Sequence, residues 1–294
     1  MTPSTFLESH VTHLSDLQVN YAFLRNSEGY PETLTGDIDL LIKQSDLHTI
    51  YHYYRAIRRD DVWVIQIIPK RRDLYVMLYF PGGGDRKFLV LEYFTGIIFR
   101  GQVIVEGERL LDTCEVDGIW RRLPDRVSIS YTFFHYAAYK GHLPVRYQPD
   151  LDRHGLDPSV VADVLDFLGV TLPQAQTVPF WTDTEELRSK ITQRISRRKT
   201  MWNYASQLIR MRPESVGCTL NVHPSDTQAV IDFANKYHLY RPTHRYVVHG
   251  SFTWAALKKL LIVALGGLAV VPKTGVASPG SVSDYFVEKI EKGR

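Results

Sequence analysis

Apolar residues in the first third of the chain fall in short blocks separated by turn-forming residues. Val19 to Leu24 and Ile38 to Ile42 are two such blocks, and both read as strands. The stretch between them, Asn26-Ser27-Glu28-Gly29-Tyr30-Pro31, has loop chemistry. Ser45 or Asp46 can cap a helix running to about Arg59. Val62 to Ile68, Leu74 to Phe80 and Phe88 to Phe94 follow, rich in β-branched and aromatic residues. Pro69-Lys70-Arg71-Arg72 separates the first pair and Pro81-Gly82-Gly83-Gly84-Asp85 the second. Connections this short join antiparallel neighbours, so the pattern predicts a meander rather than a βαβ array. Gln102 to Val105 completes the strand-rich part.

After Leu123 the periodicity becomes helical. Ser128 to Lys140 is apolar and aromatic on most sides, which predicts a buried helix. Asp157-Pro158 supplies an N-cap and a first-turn proline for a helix to about Leu168. Asp183 and Glu186 have capping-box spacing ahead of a helix through Leu208. Ser225 opens a further helix to Tyr237, and Ser251 a last one through the apolar stretch that ends near Pro272. The expectation is an α+β protein with a mixed or antiparallel sheet, flanking helices and a mostly helical C-terminal region. Boundaries are expected near 125 and 178, giving segments 1–125, 126–178 and 179–294.

Composition narrows the class. At 294 residues, 44% hydrophobic and 23% charged, the chain has neither a disordered nor a collagen-like make-up. A net charge of +3 excludes a protein that is basic all over. Its two cysteines, Cys114 and Cys218, have no partner spacing, which argues for a reducing compartment and against disulfide partners or a zinc cluster. Met1 to Leu17 lacks the apolar core and basic lead of a signal peptide. A cytoplasmic protein is expected. Residues 252–272 are mostly apolar, but Lys258 and Lys259 interrupt them; a membrane span needs roughly 20 apolar residues, so a buried helix is the better reading and an interfacial one the alternative. From Arg188 to Arg212 eight basic residues occur with no acid among them. Leu187, Ile191 and Ile195 form the apolar stripe of that helix. The basic face is ordinarily a solvated surface; its functional alternative is a contact with nucleic acid or an anionic membrane, making the protein peripheral there.

The acids of Gly36-Asp37-Ile38-Asp39 carry the chemistry. Strand side chains alternate, so Asp37 and Asp39 share a face while Ile38 and Leu40 take the other. Two carboxylates this close repel unless a cation lies between them. Hard oxygen donors suit Mg2+ or Mn2+. Gly36 allows a tight entry into the strand. An isolated Asp-x-Asp is more often a solvated strand edge, but a third acid, Glu92, stands inside the apolar run Phe88-Leu89-Val90-Leu91-Glu92-Tyr93-Phe94. There it is costly without a cation or partner, which makes it the natural third ligand.

The order strand, loop, Gly-Asp-x-Asp strand, helix, then a later strand with one acid resembles the DNA polymerase β-type nucleotidyltransferase superfamily. Leu24-Arg25-Asn26-Ser27-Glu28-Gly29-Tyr30-Pro31 followed by Gly36 to Ile42 resembles a bacterial-type branch of it. That branch has an Arg-Gly pair after the third acid, here Arg100-Gly101, then a helix ending Lys-Gly, here Lys140-Gly141, and an Arg-x-Tyr-like element, here Arg146-Tyr147. The resemblance covers about residues 18 to 150, so that 1–125 would be the catalytic domain, 126–178 a helical extension and 179–294 a region of open role. It implies a two-metal in-line transfer of a nucleotide from a nucleoside triphosphate to an acceptor hydroxyl or phosphate. Asp37, Asp39 and Glu92 would bind Mg2+ or Mn2+ and serve catalysis. Arg25, Asn26, Ser27 and Gly36 would bind the nucleotide, and Arg100, Lys140 and Arg146 would contact substrate. Where the superfamily begins its loop with Gly-Ser or Gly-Gly, this chain has Arg25-Asn26-Ser27; where the third acid is commonly Asp, it has Glu92. These departures motivate the alternative of a non-catalytic nucleotide- or polyanion-binding protein. The basic cluster with the 252–272 segment motivates another, a membrane-surface enzyme of glycan biosynthesis. No Walker A or nucleophile motif occurs, and the histidines read as structural or surface residues.

Overall fold

The fold is given by a computed structural model that describes residues 1–25, 29–34, 36–57, 59–70, 72–84, 86–100, 102–170, 184–195, 214–215, 218–236, 245–247, 268–272 and 286. Two compact units are present: Met1–Val64 with Pro69–Arg212, and Ile65–Ile68 with Pro213–Arg294.

The first unit is α+β. Helix α1 (Pro3–Asp16) precedes β1 (Tyr21–Phe23), β2 (Ile38–Ile42) and α2 (Leu47–Ala56). Strands β3 (Trp63–Lys70), β4 (Asp73–Tyr79) and β5 (Phe88–Phe94) follow, then the hairpin of β6 (Gly96–Phe99) and β7 (Gln102–Glu106). After α3 (Gly107–Leu111) come β8 (Glu115–Asp117), β9 (Trp120–Arg122), and helices α4 (Asp125–Lys140), α5 (Gln148–His154), α6 (Pro158–Leu168) and α7 (Thr184–Arg194). Seven strands form a mixed sheet in the order β3-β4-β5-β2-β1-β9-β8. The meander expectation holds for β4 and β5, which are antiparallel. Beyond it the sheet departs from a meander, because β2 enters beside β5 in parallel.

The two faces of the sheet bury different things. Phe23, Leu40, Tyr93 and Leu74 are successive cross-strand partners and so line one face. Helices α1 and α2 cover it, with Phe6 edge-on to Phe80 at 5.5 Å. In the middle of that layer His10 Nε2 is hydrogen-bonded with the Tyr93 hydroxyl at 2.6 Å and the Tyr54 hydroxyl at 3.1 Å, and the two hydroxyls bond each other at 2.6 Å. Ala22, Leu41 and Phe94 lie on the opposite face in a core shared with Val127, Tyr131, Phe134 and Ala138 of α4. Gly96, which turns the chain from β5 into β6 at φ +141°, is obligatory: a Cβ there would lie 2.2 Å from the Val105 carbonyl oxygen. Asp157 caps α6, accepting from the backbone N–H groups of Ser159 at 2.9 Å and Val160 at 3.3 Å. Leu187 and Ile191 of α7 are buried against the same core and Ile195 packs beside them, as the apolar stripe requires.

In the second unit Glu214–Ser215 pair antiparallel with Ile67 and Gln66. Strands Cys218–Val222, Leu268–Pro272 and Arg245–Val247 form a parallel sheet with Leu268–Pro272 in the centre. Helix Thr227–Lys236 follows the first of these strands. The expected helix from Ser251 through the apolar stretch is therefore corrected at its end, since Leu268–Pro272 is a strand. A buried central strand of a parallel sheet is apolar along its length, so period alone could not separate it from a buried helix. The described residues of the C-terminal region hold these strands as well as the helices Thr184–Arg194 and Thr227–Lys236. The remainder of 252–267, and the basic residues from Arg197 to Arg212, lie outside the described residues. Among the described residues no helix is long and apolar enough to cross a membrane.

Burial holds the His10 imidazole neutral, lowering its pKa to about 3, with His13 adding to the effect. The unfolded chain, with an ordinary histidine near 6.5, takes up a proton that the folded chain refuses, so this contribution is complete above about pH 6.5 and is lost as pH falls towards 3. Between pH 7.5 and 5.5 the wild type should lose about 1.4 kcal/mol more stability than His10→Phe in urea titrations. Parallel losses in the two proteins would show that His10 is not the group responsible.

Candidate functional site

The predicted acids meet through strand pairing. In the parallel register of β2 and β5, Asp39 is the direct partner of Glu92. Adjacent strands lie about 4.8 Å apart and partners project to the same face, so these two side chains are neighbours. Asp37, two residues before Asp39 at the entrance to β2, has the same parity. That face is the one covered by α4, whose buried Tyr131 senses the charges of Asp39 and Arg25. Asp39 is 6% exposed, and Asp37 and Glu92 are half-buried.

Asp39 is met by a guanidinium. Arg25 Nε donates to its Oδ2 at 2.5 Å. The chain around Arg25 is fixed on two sides: the Leu24 N–H donates to the Asp39 carbonyl at 3.1 Å, and the Ser128 hydroxyl of α4 donates to the Leu24 carbonyl. Burial works against the Arg25 charge, but Asp39, aided by Tyr147 and Tyr136, outweighs it and holds the guanidinium above its ordinary pKa.

The same guanidinium lies over two rings, Tyr136 at 5.6 Å and Tyr147 at 5.8 Å. These tyrosines face each other at 5.7 Å. Lys140 Nζ lies 5.0 Å from the Tyr136 ring and Arg146 lies 4.7 Å from that of Tyr147. Tyr136 and Lys140 are one turn apart on α4, and the left-handed Gly141 (φ +75°) ends the helix so that the chain returns through Val145–Tyr147. Arg25, Lys140 and Arg146 are thus gathered round one aromatic pair. Burial alone would raise the Tyr136 phenol, yet Arg25 and Arg146 outweigh it and bring the phenol below its ordinary value.

Other expected residues are placed differently. Gly36, at φ +70°, is exposed, and its carbonyl accepts from Arg86 Nη2 at 2.6 Å. Arg100 is exposed at the β6–β7 turn, where its guanidinium lies 5.1 Å from the Phe99 ring; it does not share the aromatic pair. Asn26, Ser27 and Gly101 lie outside the described residues. Of the basic helix, Lys190 pairs with Glu186 at 3.2 Å and Arg194 donates to the Phe167 carbonyl at 3.2 Å, which is ordinary helix-surface chemistry.

Sequence reading missed Tyr30, Arg86, Tyr136 and the ring of Tyr147 as members of the site. Tyr30 is 4% exposed, and its hydroxyl has no hydrogen-bond partner among the described residues. Burial and then Asp39 push its pKa up to about 12, with Asp37 contributing, so the phenol sits near both aspartates. Arg86 also donates to the Leu34 carbonyl, which fastens the loop ahead of β2. The Tyr136 to Lys140 spacing was the one available signal.

Comparison of the chain with protein-family models gives no match, and comparison with curated proteins gives none either.

The donor chemistry suits a hard divalent cation, since Asp39 and Glu92 offer carboxylate oxygens from adjacent strands and Asp37 a third. Among the described residues no three His, Cys, Asp or Glu side chains stand close enough together to hold a metal ion between them. Mg2+ ordinarily needs no such group of three, because it keeps waters and takes substrate phosphates as ligands.

Removing Arg25 alone takes a charged partner from Asp39 in a water-poor site. Arg25→Leu should cost on the order of 3 kcal/mol in a denaturant titration, and Arg25→Leu combined with Asp39→Leu should cost less than that single change. A single-variant cost near that of an exposed arginine, within about 0.5 kcal/mol, would mean that the pair does not persist in solution.

Proposed function

We propose that the protein is a metal-dependent nucleotidyltransferase which moves a nucleoside monophosphate from a nucleoside triphosphate to an acceptor hydroxyl or phosphate, breaking the α–β phosphoanhydride bond and releasing pyrophosphate, on a nucleotidyltransferase-like fold. The observation that carries this reading is the Asp39–Glu92 cross-strand pair, with Asp37 two residues upstream and Arg25 linking Asp39 to the tyrosine pair on which Lys140 and Arg146 also rest. Asp37, Asp39 and Glu92 would hold Mg2+ or Mn2+. A bound cation of this kind supplies neutralisation of the charge that develops on the transferring phosphate. Arg25, Lys140 and Arg146 bind and orient the triphosphate, and the Tyr136–Tyr147 pair gives those cations aromatic faces to rest on. Glu92, half-buried and one methylene longer than Asp, reaches forward to take the proton of the acceptor hydroxyl.

Incubation with labelled nucleoside triphosphates and Mg2+ should label an added acceptor or the chain itself. The label should vanish in Asp37→Ala/Asp39→Ala and in Glu92→Gln. Labelling that survives in the double variant rejects the assignment.

One observation favours a second reading. The 2.5 Å contact with Arg25 occupies Asp39 with a guanidinium, as suits a protein that binds nucleotides or other polyanions without turning them over. It would then retain nucleotide with no product formed, and affinity would fall with salt as the basic contacts are screened.

A further inference from the structure

On the exposed face of α2, opposite its buried residues, two imidazoles are already converged. Leu47, Ile50, Tyr51 and Tyr54 are buried and fix the rotation of the helix, which leaves His48 and His52 exposed one turn apart. Their rings lie 4.2 Å apart at 68°, and the two Nε2 atoms are 3.0 Å from each other. The Tyr51 ring buttresses them, edge-on to His52 at 5.3 Å and tilted against His48 at 6.4 Å.

We infer that His48 and His52 form a site for a divalent transition-metal ion that takes imidazole nitrogen, of the class Zn2+, Ni2+ or Cu2+. Histidines at i and i+4 present two nitrogens to one metal from a single helix face. Each metal–nitrogen bond is about 2.0–2.1 Å, so two nitrogens on a tetrahedral ion stand about 3.3 Å apart. The observed 3.0 Å is within a few tenths of an ångström of that spacing, and the rings need only part slightly. In the metal-free pair one Nε2 can donate to the other; on binding, each ring carries its proton on Nδ1 and both Nε2 lone pairs face the ion. Among the described residues no third His, Cys, Asp or Glu joins them, so water completes the coordination. Arg55, whose guanidinium lies 5.6 Å from the Tyr51 ring, is the nearby cation against which the ion must bind. Imidazole donors do not suit Mg2+, so this site and the carboxylate pair select different metals.

The test is calorimetric titration of the full chain with Zn2+ and Ni2+ in chelator-free buffer, beside His48→Gln, His52→Gln and the double variant. The wild type should bind one ion more tightly than either single variant by at least about tenfold, the loss of one of two nitrogen donors. The double variant should fall no further than the singles by more than that same factor, because one imidazole does not make the site. Cu2+ loaded at one equivalent should give an electron paramagnetic resonance spectrum with two equatorial nitrogens in the wild type and a different donor set in each single variant. Since both side chains are exposed, the urea midpoint without metal should stay in place; if it moves, the Cu2+ spectrum of the wild type alone still decides. Affinity unchanged by the substitutions, or a Cu2+ spectrum without two nitrogens, overturns the inference. Mg2+-dependent nucleotide labelling should be the same in His48→Gln and the wild type, so failure of one reading leaves the other standing.

Discussion

Two carboxylates on neighbouring strands, with a helix laid over them, repel each other. At about 5 Å and an effective dielectric near 20 the repulsion is about 3 kcal/mol, a sizeable part of what holds a domain together. The parallel pairing of β2 with β5 imposes that proximity on Asp39 and Glu92, because slipping the register by one residue would turn Leu40 and Tyr93 out of the α1–α2 layer. The apolar residues thus fix the position of the acids, and the acids then require a positive charge. Arg25 meets the requirement from the end of β1, where hydrogen bonds to Asp39 and Ser128 hold the preceding residue.

That placement gives Arg25 two sets of partners. Its guanidinium is bonded to Asp39 and also rests on Tyr136 and Tyr147, where Lys140 and Arg146 arrive as well. Three cations near one another repel, and the aromatic faces return only about 0.5–1 kcal/mol for each exposed contact. Such a cluster is eased by an anion. An anion that takes hydrogen bonds from Arg25 takes them from Asp39, so filling the basic side of the site loosens the carboxylate side. Tyr30, buried with its hydroxyl unpartnered among the described residues, lies on that border between the acids and the entering loop.

The parts of this arrangement that the sequence discloses are those with short-range causes. Strands β2 and β5, the Asp157 cap of α6 and the Leu187–Ile191 stripe follow from alternation, capping and helical period. Asp37, Asp39, Glu92 and the cations Arg25, Lys140 and Arg146 could be singled out as residues. The convergence of the acids was expected, but not the parallel pairing some fifty residues away that produces it, nor the helix cap that turns the chain back to gather Lys140 and Arg146 with Arg25. Strand β7 was expected, but its hairpin partner β6 escaped notice because a bulge between Ile97 and Ile98 breaks its alternation. Strands β8 and β9 are three residues each, too short for a period. In the second unit Leu268–Pro272 reads as part of a helix because an apolar strand at the centre of a parallel sheet has no polar beat to betray it.

Donor chemistry separates the two proposed metal sites more firmly than distance does. Carboxylates on adjacent strands offer hard oxygen donors that suit hard cations and leave room for water and phosphate. Two imidazoles locked one turn apart on a helix are neutral donors that attract borderline ions through covalency rather than charge. On these proposals an excess of Mg2+ over Zn2+ would fill the first site without emptying the second. The geometry of each is set by a core the ion does not touch: the β2–β5 register in one case, and the burial of Leu47, Ile50, Tyr51 and Tyr54 in the other. Both donor pairs are assembled before any ion arrives, so little of the binding energy need be spent on ordering the chain.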